Sequence, residues 1–452
     1  MTGSPVIVDL TDNALRVHDG GQTVDVSVGY ASVIEGAVTA IGRSAFANAK
    51  RHPRRTHNDF WYRLSAEPME SASGLSRADL VAAQWQALVP LERLAGRSVI
   101  LILPSFWQRD ALALLLGILK TSGVEVAGMI DAAVAATRDY YQDQVLLHVD
   151  ITLHCASVVR LVQSRERSEL DDARAIEGSG WVALMEDWVK FFAAQFVRQC
   201  RFDPLHSAET EQLLFDALPV WLTDIEKRDD VSVTLTAGGR DYTATILRVD
   251  VINAVAAHYQ RIADVVRALH GGGPAPALQM RVSISGLPGL AELLAARSGG
   301  QYFAVADDAA AASVSSQIGS LGLEAGRVRR EMAVTGVVHE AAAAAMHIAD
   351  MPSHLLYGDR AFLLAEEALA VGSGTEQPPA RYLLIEGSPA GVSGLHCELR
   401  LERGGCTVVD RSRYGTFLNG NRINGSAALQ IGDTLRVGTP GRELLLIREE
   451  RF

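Results

Sequence analysis

Cysteine is scarce and scattered: Cys155, Cys200, Cys397 and Cys406 are the only four in 452 residues, and none belongs to a CxxC pair. That pattern argues against a disulfide framework or a zinc ribbon and fits free thiols, so a cytoplasmic protein is expected. Long apolar runs are missing too. The longest, ALALLLGIL from Ala111 to Leu119, is half the roughly 18 residues that span a bilayer, so no membrane span is expected. The opening MTGSPVIVDLTDN lacks the basic-then-apolar order of an export signal. Positive charge is in deficit, with 42 Lys and Arg against 53 Asp and Glu and a net charge of −11. Nucleic acid and anionic membrane both require a basic face, which disfavours them as partners. The short run KRHPRR, Lys50 to Arg55, reads as a solvated loop.

What is present is the composition of a globular protein, 48% hydrophobic and 21% charged, with length for about three folding units. VIVDL, ALRVHD and TVDVSV read as a strand meander whose first turn is Thr11-Asp12-Asn13 and whose second is Gly20-Gly21. Helices are expected over Arg43 to Lys50 and Arg77 to Leu94, with a strand SVILILP, Ser98 to Pro104, after them. An amphipathic helix ended by Gly123, a strand VEVAGMI and a short helix DAAVAATRDYY follow. LLHVDITLHCASVVRL, Leu146 to Leu161, reads as a hairpin with poor turn chemistry, because Thr152-Leu153-His154 contains no glycine, asparagine or proline. A helical region with Trp181, Trp188 and Trp221, a hairpin on Gly238-Gly239 and a further helix lead to MRVSISG, read as a strand. Strands alternating with helices predict an α/β architecture over residues 1–331.

The alanine-rich stretch over 332–352 reads as a connecting helix. After it come short strands about ten residues apart with Gly, Asn and Ser turns, which predict an all-β sandwich over 353–452.

VILILPSFWQRDALALLLGILKTSGVEVAGMIDAAVAATRDYY resembles a stretch of DnaK-type chaperones, and VDLTDNALRV, VDITLHCASVV and ISGLPGL extend the resemblance in order across the first domain. The resemblance implies a two-lobed actin-like ATPase fold in which two glycine-rich hairpins embrace nucleotide phosphates. Backbone N–H groups must approach phosphate closely there, and a Cβ would obstruct them. The candidate cleft residues carried over are Asp9, Thr11, Asn13, Asp131, Asp150, Thr152, Ser285 and Gly286, with Asp9 and Asp150 holding Mg²⁺ if nucleotide binds. The cradle itself departs from the family. Asp12 adds a negative charge where phosphate would lie, worth roughly 4 kcal/mol of repulsion at about 4 Å and an effective dielectric of 20. The second turn has no glycine, and the catalytic lysine would fall near Trp61, where Arg63 is the only close cation. His154 reads as a packed or surface histidine rather than a ligand.

GVSGLHCELRL, Gly391 to Leu401, then DRSRYGTFLNGNRI and LQIGDTLRVG resemble a forkhead-associated (FHA) domain. Such domains bind phosphothreonine peptides through loops at one end of a sandwich. Their usual arginine after an early glycine is replaced by Ser373, so the candidate contacts are Ser393, Arg413, Tyr414 and Thr416. His396 and Asn419 are expected to support loops.

Together these readings predict a non-catalytic interaction or scaffold protein: a chaperone-like pseudo-ATPase joined to an FHA-like domain, with protein partners, some of them phosphorylated, and scope for self-assembly. No cofactor is expected. The alternatives are an ATP- and Mg-dependent switch and a phosphothreonine-peptide reader.

Overall fold

The computed structural model describes residues 4–94, 96–340, 352–358, 360–365, 367–375, 377–387, 390–402, 405–438 and 441–448. The chain divides into two compact units, Met1–Ala341 and Ala342–Phe452. The first is mixed α/β and the second is a β-sandwich.

Two six-stranded sheets in the first unit repeat one plan. In the first sheet, Val6–Asp9, Leu15–Asp19 and Gln22–Ser27 form an antiparallel meander. Val99–Leu103 and Val126–Asp131 add in parallel on the free side of Val6–Asp9, and Val328–Arg329 ends the row. In the second sheet, Val145–Ile151, Cys155–Gln163 and Arg167–Glu177 form the meander, and Pro276–Arg281 and Gln301–Val305 add in parallel. Glu331–Ala333 pairs with the outer edge of Arg167–Glu177.

The side-chain period of two sorts these strands into layers. Val6 and Val8 pack with Trp85, Leu101 and Leu115 on one face of the first sheet. Ile7, Ile100, Ile102 and Ile130 point the other way and share a core with Leu146, Val159 and Leu161 of the second sheet. The helices Trp181–Cys200, Ala208–Glu226 and Ala256–His270 cover the far face of the second sheet, where Trp188 is fully buried and donates to the Val251 carbonyl at 3.0 Å. Strands apolar on both faces, such as VILIL, are those of a sheet covered on both sides.

Several expected elements end earlier than their patterns suggested. The helix expected over Arg77 to Leu94 is two pieces, Arg77–Leu88 and Leu91–Leu94, because Pro90 carries no N–H to continue the ladder. Arg43–Phe46 is a single helical turn, and DAAVAATRDYY is the helix Ala132–Ala136 followed by the strand Tyr140–Gln142. The strand read in MRVSISG stops at Arg281, and Val282–Ser285 is one helical turn. Part of the expected connecting helix is also extended. Glu331–Ala333 and Val338–Glu340 are strands, the latter paired with Tyr140–Gln142, since β-branched Val337 and Val338 lie beside an edge whose N–H groups need partners. Residues 341–351 of that stretch lie outside the described residues.

The second unit stacks the sheet that runs Arg360–Leu363, His354–Tyr357, Arg442–Ile447, Thr434–Val437, Thr416–Leu418 and Asn421–Arg422 on one that runs Tyr382–Leu384, Leu369–Gly372, Cys397–Glu402, Gly405–Asp410 and Ser426–Leu429. Alternation builds its core. Leu444 and Leu446 are buried while Leu445 between them is exposed, and Leu355, Val371, Leu399, Val408 and Leu435 complete the interior. No helix among the described residues of either unit is long and apolar enough to cross a membrane.

Candidate functional site

Four charged residues stand at the carboxyl ends of central strands in the first unit, the place where an α/β sheet opens a crevice. Asp9 ends Val6–Asp9, Asp131 ends Val126–Asp131, Asp150 is next to last in Val145–Ile151, and Arg281 ends Pro276–Arg281. Arg281 joins three of the elements. Its Nη2 donates to Thr11 Oγ1 at 2.7 Å and lies 3.4 Å from Asp9 Oδ2 and 3.2 Å from Asp150 Oδ2. Thr11 in turn gives its backbone N–H and its hydroxyl to Asp9 Oδ1, at 3.0 and 2.7 Å. All of these side chains are buried. Burial works against the guanidinium charge, but Asp150, Asp9 and Asp307 outweigh it and hold the Arg281 pKa above its ordinary value.

The two hairpin turns bind each other. Leu153 N–H donates to Asp12 Oδ1 at 2.7 Å, and Asn13 Nδ2 donates to the Ile151 carbonyl at 2.6 Å. Burial, opposed by the bond from Leu153, raises the Asp12 pKa to about 7. This docking explains the poor turn chemistry of Thr152-Leu153-His154. The turn is held from outside: the first N–H groups of the helix Trp181–Cys200, on Trp181 and Val182, donate to the Thr152 and Leu153 carbonyls at 2.9 Å each. Gly180, which caps that helix, permits the approach, because a Cβ there would sit 2.4 Å from Cys155 N and 2.5 Å from the Leu153 carbonyl oxygen. Leu153 is fully buried beside Tyr30, Ala45 and Ala49.

The remaining predicted residues have local partners. Asp131 caps the helix Ala132–Ala136, accepting from Ala133 N and Val134 N at 2.9 and 3.3 Å, and burial raises its pKa. Thr152 Oγ1 donates to the Cys155 carbonyl, and Ser285 Oγ to the Val282 carbonyl. Gly286 is exposed at the end of its helical turn. The wall of the cleft is formed two residues earlier, by Ser283 and Ile284. His154 sits between Asn58, 3.0 Å from its carbonyl, and the Tyr62 ring, stacked at 6.0 Å. Trp61 is buried and donates to Gln84, whereas Arg63 is exposed and makes no ion pair among the described residues. The cation at this site is not near Trp61, where the family's pattern would put it, but is Arg281, 270 residues from Thr11. The signal was there: an arginine at the end of the otherwise apolar strand PALQMR.

Beside Arg281 and Asp150 the cleft keeps a cavity of about 460 Å³. A larger groove of about 960 Å³ runs between the helix Arg109–Thr121 and residues 322–331, and it contains none of the predicted site residues. Among the described residues, no group of three or more His, Cys, Asp or Glu side chains is arranged to hold a metal ion.

In the second unit, Ser393 Oγ accepts from Arg413 N–H at 3.1 Å, which places Ser393, Arg413 and Tyr414 together on adjoining loops. Arg413 and Tyr414 are exposed, and the Arg413 guanidinium has no ion pair among the described residues. Thr416 differs. It is fully buried, and its hydroxyl donates to Asp410 Oδ1 at 2.8 Å, so it braces the loop instead of facing a ligand. Burial pushes Asp410 up, but hydrogen bonds from Ser412 and Thr416 outweigh it and leave the carboxyl below its usual range. His396 is buried and accepts from Ser393 N–H at 3.1 Å, while Asn419 bonds Asp433 and Thr434 N–H. Residues 371–438 match the FHA domain family. The FHA match spans the serine, histidine, glycine-threonine and asparagine-glycine positions noted in the sequence, and it supports a protein-interaction role for the second unit. No curated protein matches the chain.

Proposed function

We propose that the protein is a non-catalytic scaffold: a chaperone-like, actin-like two-lobed pseudo-ATPase joined to an FHA domain that recruits protein partners in the cytoplasm. The observation that carries the first half is the Arg281 guanidinium between Asp9 and Asp150. The duplicated sheet order, with crossovers bringing both first hairpins to one cleft, supports the two-lobed fold. In a nucleotide site of this kind the two aspartates would face Mg²⁺ and the two turns would stand apart around phosphate. Here Arg281 spends the aspartate charge, Asp12 bonds Leu153, and Asn13 bonds Ile151, so the residues do not fit a magnesium-nucleotide. Closed turns suit a rigid binding platform better than a switch.

Isothermal titration of the full chain with Mg-ATP and Mg-ADP tests this. No saturable heat is expected for either. A micromolar Kd that disappears in Asp150→Ala would replace the scaffold reading with the ATP-driven switch.

A second reading, recognition of phosphothreonine by the FHA domain, is favoured by one observation. Arg413 is exposed, unpaired among the described residues and adjacent to Ser393, a cation and a hydroxyl of the kind that grip phosphate.

A further inference from the structure

The cavity of about 460 Å³ has a composition that neither the closed turns nor the FHA match explains. Its volume falls within the roughly 300–1,000 Å³ of small-molecule pockets, and its lining follows their pattern of apolar walls with a few convergent polar groups. Phe46 and Trp181 supply aromatic wall, while Arg16, Arg43, Arg281 and Asp150 supply charge. Both rings are held in place: Phe46 lies 5.1 Å from Tyr30 and from Phe215, and Trp181 lies edge-on to Trp188 at 6.3 Å.

The arginines are not equivalent. Arg281 is neutralised by Asp9 and Asp150, and Arg16 has Asp307 at 3.9 Å. Arg43 has no carboxylate within ion-pair distance among the described residues, and its side chain is exposed on the single helical turn Arg43–Phe46. One cation facing the cavity is therefore uncompensated, above walls that are largely apolar. A triphosphate with its metal has no match there. A monoanion with an apolar body does.

We infer that this cavity is a binding site for a small amphipathic monoanion, a carboxylate or sulfonate on an aromatic or aliphatic body, with Arg43 pairing the anionic group and Phe46 and Trp181 packing the body. The inference rests on the reading of the cleft as closed to nucleotide. It gives the scaffold a ligand that would span both hairpin-bearing halves of the first unit, since Arg43 belongs to the first and Trp181 and Ile284 to the second.

Titration of the full chain with the fluorescent probe 8-anilinonaphthalene-1-sulfonate, alongside its neutral relative N-phenyl-1-naphthylamine, tests the site. One saturable site is expected for each. Arg43→Gln should weaken sulfonate binding at least tenfold and change the neutral dye less than twofold. Ser283→Trp, at an exposed position on the cavity wall, should abolish both without disturbing the core. The inference is overturned if no saturable binding occurs, or if Arg43→Gln and Ser283→Trp leave it unchanged. Those results leave the pseudo-ATPase reading standing. Displacement of the dye by Mg-ATP with a micromolar Kd would overturn both readings.

Discussion

Arg281 Nη2 lies 3.2 Å from the carboxylate of Asp150 in its own sheet and 3.4 Å from that of Asp9 in the other. A single buried cation thus joins the ends of both central strands. Removing it leaves two carboxylates in a water-poor interior, and breaking a buried pair in this way costs about 3–5 kcal/mol. Arg281→Met should lower the stability of the first unit by that amount in urea unfolding at pH 7.5. A loss under 1 kcal/mol would mean that the two sheets are held by the apolar core alone.

Asp12 gives a pH dependence of definite sign. Its folded pKa is about 7 against an ordinary 3.8, so between those values the folded protein binds more protons than the unfolded chain. Its contribution to stability therefore falls as pH rises from about 4 to about 7. Asp12→Asn keeps an oxygen for Leu153 N–H and removes the charge. The variant should melt higher than the parent at pH 8, with the difference narrowing towards pH 5. An equal difference at both pH values would assign the effect to something other than this carboxyl.

The fold was legible where local patterning decided it, and the cleft only in part. Val6–Asp9, Val99–Leu103 and Val145–Ile151 are apolar runs whose period and composition leave little alternative. Asp9, Asp12 and Asp150 were visible as carboxylates at strand ends or turns for the same reason. What each faces was not visible, because Arg281 reaches Asp9 and Asp150 only through the crossover that places Pro276–Arg281 beside Val145–Ile151, and Asp12 meets Leu153 from the other hairpin. The turn Thr152-Leu153-His154 looked wrong on its own terms, since its stabilising partners, the start of the helix Trp181–Cys200 and Asp12, are not local. The motif position of Thr416 suggests a ligand contact, and only its burial reveals that its hydroxyl is committed to Asp410.

Gly180 carries a steric prediction. A methyl group there would meet backbone atoms at 2.4–2.5 Å, and backbone cannot swing aside as a side chain can. Gly180→Ala should cost about 1–3 kcal/mol as an overpacking change and loosen the turn Thr152-Leu153-His154. Hydrogen exchange at the Trp181 and Val182 amides reads this directly, and both should exchange faster than in the parent. Unchanged protection would place the support of the turn elsewhere.

In the second unit, Thr416 and Arg413, three positions apart, differ in what a substitution should touch. Thr416 is buried on Asp410, and a hydrogen bond to a charged group contributes about 1.5–3 kcal/mol. Thr416→Val should lower the melting temperature of the second unit. Arg413 is exposed and makes no ion pair among the described residues, so Arg413→Ala should change stability by less than about 0.5 kcal/mol. Binding should respond differently. If the loop end grips phosphate, the full chain will prefer phosphothreonine peptides over the same peptides unphosphorylated in fluorescence polarisation, and Arg413→Ala will erase that preference while the fold stays intact. Equal binding of both peptide forms by the parent would leave the FHA domain as a phosphate-independent interaction surface, with Arg413 a solvated side chain beside it.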